Sequence, residues 1–209
     1  MSCTKSKILD ISLRLYNQCG INNVSQRMIS NELGISPGNL TYHFKRTEDI
    51  LEQLFLNMVN EIDMIIEGGK TRDITLAELI NLYVRTIRVL YKNKFFMIDF
   101  VHIIRHCDRI NKKYVQVIQK RHFQHAQTIL DLIDNGFVKP PSFPGEYLAL
   151  YERMSIIADF WMSREIINEG VVSEESINHY AFINMSQMYP YLTEKGKRDF
   201  EASFGIYMT

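Results

Sequence analysis

The sequence predicts an all-α protein, and three observations carry that prediction. Almost every segment repeats its apolar residues at the helical spacing of three and four. Nowhere do four or more residues alternate cleanly, as a half-buried strand would. Glycine, proline and short polar residues fall where helices start and stop rather than where hairpins turn.

The elements follow in order. A first helix runs from about Lys5 to Cys19, with Ile8, Leu9, Ile11, Leu15 and Tyr16 inward, and Gly20 stops it. Ser25 caps a short second helix reaching Leu33, which Gly34 ends. Ser36 caps a third, with Pro37 at the first helical position, where its missing N–H costs nothing. Thr47 caps a fourth, with Glu48 and Asp49 in the first turn favoured by the helix dipole. Leu51, Leu54, Met58, Ile62 and Ile65 keep one apolar stripe along it to Gly68-Gly69. Gly68-Gly69-Lys70 is the expected hinge between an N-terminal head and a larger body.

In the body, Thr75-x-x-Glu78 is a capping box opening a helix that reaches about Tyr91. Lys94 to His106 reads as one very apolar helix, and Arg109 to Asn135 as a longer amphipathic one ended by Gly136. The stretch from Lys139 to Gly145 holds three prolines and cannot be helical throughout. Helices at about Glu146 to Glu169, Ser173 to Met188 and Glu194 to Phe204 complete the chain.

Composition narrows the class. With 46% hydrophobic and 23% charged residues among 209, the chain has enough apolar side chain for a real core. Charges enter before any signal-like apolar run forms, and the most apolar stretch, Phe95 to Ile104, is interrupted by Asp99 and His102 and too short for a bilayer. Three cysteines without a Cys-x-x-Cys pair indicate neither a disulfide framework nor a thiolate zinc site. A cytoplasmic protein with no membrane contact is the expectation. The zero net charge hides an asymmetry: residues 1–46 carry six basic and two acidic side chains, so the head is +4 and the remainder −4. That head can face phosphate.

The segment Ser25 to Phe44 is two short helices about a glycine turn, a geometry that lets the second project into a major groove about 12 Å wide. Leu40 and Phe44 would pack on Ile29 and Leu33, leaving Gly38 and Tyr42 outward with Asn39 and Thr41 beside them. Asn39 can donate to and accept from a base edge; Thr41 and Tyr42 can reach phosphate or a thymine methyl. Gly38 permits close backbone approach, and Arg27 can reach guanine or phosphate.

Lys7-Ile-Leu-Asp-Ile-Ser-Leu-Arg-Leu-Tyr16, Gly20, Ile29-Ser-Asn-Glu-Leu-Gly-Ile-Ser36, Gly38-Asn-Leu-Thr-Tyr-His-Phe44 and Glu48-Asp-Ile-Leu51 together resemble the DNA-binding domain of the TetR family. The resemblance spans about fifty residues. It implies an N-terminal three-helix DNA-binding domain with a helix-turn-helix, residues 1–46, and a C-terminal helical ligand-binding and dimerisation domain, residues 47–209, with 47–67 as the connecting helix. It further implies a homodimeric repressor on palindromic double-stranded DNA, released by a small-molecule inducer. The family's DNA contacts carry over to Ser25, Gln26 and Arg27, and to Gly38, Asn39, Thr41, Tyr42 and His43. Two positions depart from the family pattern: Thr41 stands where tyrosine is usual, and Thr47 where a lysine often opens the fourth helix. Tyr42, Lys45 and Arg46 are the expected substitutes.

For the body only residue type guides the reading. Tyr83, Phe96, Met97, Phe100, Tyr114, Phe123, Met154 and Trp161 are the candidate ligand contacts, and they suit an apolar or aromatic molecule. No cofactor is expected, and no hydrolase elbow, zincin motif or phosphate-cradling loop argues for an enzyme. His102 with His106, and His122 with His125, keep open the alternative of a metal-binding helical sensor protein; a helical adaptor with an idle helix-turn-helix is a third reading. Two further expectations concern assembly and signalling. The helices 146–169 and 173–188 each have two apolar faces and would form a four-helix dimer interface, unless the last helix covers the second face. The fourth helix would be the only continuous link from head to body.

Overall fold

Local chemistry decides where each helix begins and ends. The computed structural model describes residues 3–69 and 71–205, and every regular element among them is helical. The α-helices are α1 Cys3–Cys19, α2 Gln26–Leu33, α3 Pro37–His43, α4 Thr47–Gly68, α5 Leu76–Lys92, α6 Lys94–Ile98, α7 Phe100–His106, α8 Asp108–Asp134, α9 Glu146–Glu169, α10 Glu175–Ser186 and α11 Glu194–Phe204.

In the head the expected caps are in place. The Ser25 hydroxyl accepts from the Met28 amide at 3.2 Å, and Ser36 from Asn39 at 3.2 Å. Gly34 takes a left-handed φ of 66°, which lets the Ile35 amide close back on the Ser30 carbonyl at 3.0 Å. Ile8, Tyr16, Ile29, Leu40 and Phe44 then form a small closed core, sealed from below by Ile50 of α4. The cap of α4 lies one residue earlier than the sequence suggests. The Asp49 carboxylate accepts from the Arg46 amide at 2.9 Å, so Thr47 is already helical.

Gly69 closes α4 with an ordinary negative φ, so backbone freedom is not its purpose. A Cβ there would lie 2.5 Å from the Leu82 side chain, and the glycine instead lets the end of α4 press on α5. Lys70, the third residue of the expected hinge, lies outside the described residues. The capping box at Thr75 is present in both directions, at 3.1 Å and 2.8 Å.

The apolar stretch 94–106 is two helices rather than the expected one. Asp99 sits between α6 and α7, and its carboxylate accepts from the amide of Ile21 at 3.3 Å. The lone acid of that stretch thus ties the bend to the head. At the other end of the body, Gly196 lets α11 approach the 137–138 segment, since a Cβ would fall 2.2 Å from the Phe137 carbonyl oxygen. Phe182 of α10 meets Phe200 and Phe204 of α11, so α11 covers the second face of α10. The expectation of an apolar second face therefore survives for α9 alone of that pair. On α9 Met162 is fully buried, while Leu148, Ile156, Phe160 and Ile167 are exposed along one side.

Candidate functional site

The outward surface of α2 and α3 is an array of polar side chains on a sealed core. Tyr42 is 84% exposed while Leu40, two residues before it, is fully buried. Arg27, Gly38, Asn39, Lys45 and Arg46 are exposed, and among the described residues neither Arg27, Lys45 nor Arg46 makes an ion pair. Arg14, by contrast, is neutralised by Glu32 at 2.5 Å. His43 is half-buried against the edge of the Tyr42 ring, with centroids 5.3 Å apart. Three candidates are already engaged within the chain. The Gln26 amide donates to the Phe44 carbonyl at 3.1 Å, the Thr41 hydroxyl to Pro37 at 2.9 Å, and Ser25 caps α2. Gln26 thereby locks the end of α3 onto α2.

Below the head, α4, α5, the α6–α7 bend, α8, α9 and α10 enclose a cavity of about 370 Å³, a size usual for small-molecule sites. Its wall is mostly apolar and aromatic, with a few polar groups set into it. The Tyr114 hydroxyl donates to Asp159 at 3.0 Å, and burial lifts the Asp159 carboxyl to about 6 against that hydrogen bond. Asn184 donates to the Tyr83 hydroxyl and to the Met154 carbonyl, the latter at 3.0 Å. Burial and then His122 push His125 down to about 4, so it is neutral, and its Nε2 is buried without a hydrogen-bond partner. Arg121 is paired with Asp63 of α4 at 2.6 Å and with Gln124 at 2.7 Å. Burial pushes Asp63 up, but hydrogen bonds from Lys120 and Arg121 outweigh it and hold the carboxyl below its usual range.

Comparison with known proteins places this architecture. Residues 8–54 match the bacterial regulatory proteins of the tetR family, and residues 57–200 match the TetR bacterial transcriptional repressors. The chain belongs to the TetR family. A TetR-family transcriptional regulator from Marinobacter aquaeolei superposes with a TM-score of 0.87 at 23% identity, covering 98% of each chain. A regulator from Saccharomonospora viridis in complex with choline gives 0.68 at 18% identity, covering 93% of this chain and 100% of that one. A SmeT–triclosan complex gives 0.64 at 11% identity over 92% and 93% of the two chains. These likenesses are of fold. No curated protein matches the chain.

TetR-family regulators bind DNA rather than catalyse reactions. Tyr83, Phe96, Met97, Phe100, Tyr114 and Met154 all face the cavity, and Phe123 stands at its rim with 74% of its surface exposed. Trp161 does not reach it. Its ring packs on Tyr180 at 4.9 Å, in the contact between α9 and α10, because it lies half a turn beyond Asp159 on α9. The polar cavity groups Asp159, Arg121, His125 and Asn184 escaped a reading based on aromatic and methionine content. Asp159 had a signal: it is the single charge in Ser155-Ile-Ile-Ala-Asp-Phe-Trp-Met162. For the metal-binding alternative, no three His, Cys, Asp or Glu side chains among the described residues converge on a common point. His102 and His106 stack on each other at 4.3 Å, and His122 and His125 both lie on Tyr151.

Head and body also touch outside α4. Asn17 donates to the Lys92 carbonyl at 2.8 Å and accepts from the Phe95 amide at 3.0 Å, and Tyr16 packs on Phe95 at 5.4 Å. With the Asp99–Ile21 bond, α1 is clamped onto the α6–α7 bend. The expectation that α4 alone carries the connection is therefore incomplete.

Proposed function

We propose that this TetR-family regulator is a homodimeric repressor that leaves a palindromic operator when a small molecule occupies the cavity. The supporting observation is that both links to the head are cavity walls. Phe55, Met58 and Ile62 of α4 face the cavity, and so do Phe96 and Phe100 on either side of Asp99. A ligand that displaces either wall tilts the head against its symmetry mate and spoils the fit to two half-sites. In this reading residues 1–46 bind DNA, residues 47–209 sense and dimerise, and the helix over 47–67 connects them. Arg27, Asn39 and Tyr42 meet base edges or phosphate, with Gly38 allowing close approach. His43, Lys45 and Arg46 meet the backbone, while Ser25, Gln26 and Thr41 present what their intrachain bonds leave free.

The exposed stripe of α9 is the surface we assign to dimerisation, since a helix apolar on two faces must bury both. The S. viridis regulator is described in complex with choline and SmeT with triclosan, so proteins of this fold form complexes with small organic molecules. Selection of bound DNA from a random pool tests the DNA-binding half and yields the operator. For coupling, a flexible glycine pair inserted near Asn57 should leave ligand and DNA binding intact separately while reducing their mutual effect, ordinarily about 5 to 150-fold. Release unchanged in that variant would assign the signal to the α1 clamp instead.

A further inference from the structure

The cavity has a charge preference built into it. Asp159 enters from α9, largely buried, and accepts one hydrogen bond, from Tyr114 at 3.0 Å. A carboxylate offers about four lone-pair sites, so most of its capacity is unused. Among the described residues no lysine, arginine or histidine lies within ion-pair distance of it. Of the other charges at the wall, Arg121 is neutralised by Asp63 and held by Gln124, while Asp131, acidic like Asp159, accepts from the neutral Gln127 amide at 3.2 Å. His125 is buried and neutral. The unneutralised charge of the cavity is therefore negative.

Aromatic rings stand beside it. Phe100 meets Tyr114, the partner of Asp159, edge to face at 4.9 Å, and farther along the wall Phe96 stacks on Phe55 at 5.1 Å. Ring faces carry negative potential and attract a cation, most strongly where water is excluded. We propose that the cavity selects an organic cation, its apolar body among Phe96, Phe100 and Tyr83 and its ammonium centre at Asp159. This rests on the cavity being the ligand site and adds the charge of the ligand. A carboxylate ligand would meet Asp159 unscreened, and a hydrocarbon would leave it buried without a counter-ion.

The groups facing Asp159 limit what pH does. Tyr114 of α8, Tyr83 of α5 and Tyr151 of α9 are all pushed above their usual range by burial, so they stay protonated near neutrality. His125 is already neutral, and His122 stacks on Tyr151 from an exposed position. Asp159 is then the cavity group whose charge changes as pH falls from 7.5 to 5.

The test uses the full chain and calorimetry with three ligands sharing a phenylbutyl tail, ending in trimethylammonium, in the isosteric tert-butyl, or in carboxylate. The ammonium should bind about tenfold or more tighter than the tert-butyl compound, and the carboxylate weakest. Asp159→Asn should erase the ammonium preference while the tert-butyl compound still binds. In the unaltered chain, lowering the pH to 5 should weaken ammonium binding about tenfold and leave tert-butyl binding unchanged, and His122→Gln should keep the same midpoint. Equal binding of ammonium and tert-butyl ligands, tighter binding of the carboxylate, or a preference that survives both Asp159→Asn and low pH overturns the proposal while the cavity stands as the ligand site. Binding of none of the three overturns the ligand-site reading, and this proposal with it.

Discussion

On the outward face of α2 and α3 the polar groups stand in water, whereas in the cavity they are largely denied it. Tyr42, Asn39 and Arg27 project from a head whose own core is closed by Leu40, Ile29 and Phe44. They can be exchanged without touching what holds the head together. Asp159 and His125 are half-buried in the body, the carboxylate with one hydrogen bond and the imidazole with a sealed, unpartnered Nε2. Groups kept that way cost the free protein stability, and a ligand that completes their interactions restores it. The head is therefore preformed for its partner, and the cavity is held in a state that a partner improves.

The largest expected effect tests the first half of this contrast. Leu40→Ala empties a fully buried position in the head and should destabilise it by about 2 to 5 kcal/mol, read from urea denaturation. Two residues away, Tyr42→Ala should leave that denaturation curve in place. Its effect belongs to DNA: Tyr42→Ala and Arg27→Ala should each weaken operator binding by about 1 to 3 kcal/mol, and binding should fall steeply with salt. A stability loss in Tyr42→Ala comparable to that in Leu40→Ala would show that the two sets of side chains are not separable.

Asp159 tests the second half. Its folded-state value, about 6, lies above the ordinary 3.8, so the folded protein holds a proton that the unfolded chain releases. The stability this gives is present below pH 4 and lost as pH rises through 6. At pH 7.5 the ligand-free protein therefore carries an uncompensated charge. Asp159→Asn should be more stable there, on the order of 2 kcal/mol, with the advantage gone by pH 4. A variant less stable than the parent at pH 7.5 would mean that the carboxylate is already compensated, and the contrast between head and body would lose its basis.

How much of this was legible in the sequence follows the same division. Caps and stops such as Ser25, Gly34, Ser36 and the Thr75 box act within a few residues, so their signals are local and the helices they bound stand where expected. The exposed face of α3 was legible because exposure on a short helix follows from which residues must be buried. The bend at Asp99 was not, because the group its carboxylate accepts from, the Ile21 amide, lies 78 positions away. Nor was the cavity's polar set: Asp159, Tyr83 and Asn184 come from three helices, and the spacing on any one of them gives no hint of the others. Trp161 illustrates the converse, an aromatic residue of the expected kind whose helical phase turns it away from the cavity toward Tyr180.

The smallest effect is expected where the start of α8 meets the start of the connecting helix α4. Arg109, at the start of α8, pairs with Asp49 at 2.6 Å and with Glu52 at 2.9 Å on the first turns of α4. Farther along the same two helices Arg121 pairs with Asp63 at 2.6 Å. The pairs look alike but their surroundings differ, since the side chain of Arg109 is 52% exposed and that of Arg121 is 16%. Water and salt screen the outer pair, and ordering its long side chain offsets much of the attraction. Arg109→Ala should leave the denaturation midpoint where it is and register only as faster amide exchange over residues 47–52, where the pair restrains the start of α4. Arg121→Ala, by contrast, removes a cavity-lining partner of the half-buried Asp63 carboxylate, and the midpoint should fall. If Arg109→Ala lowered stability as much as Arg121→Ala, the α4–α8 contact would be uniform along its length. The distinction between a screened outer end and a cavity-facing inner end would then have to be abandoned.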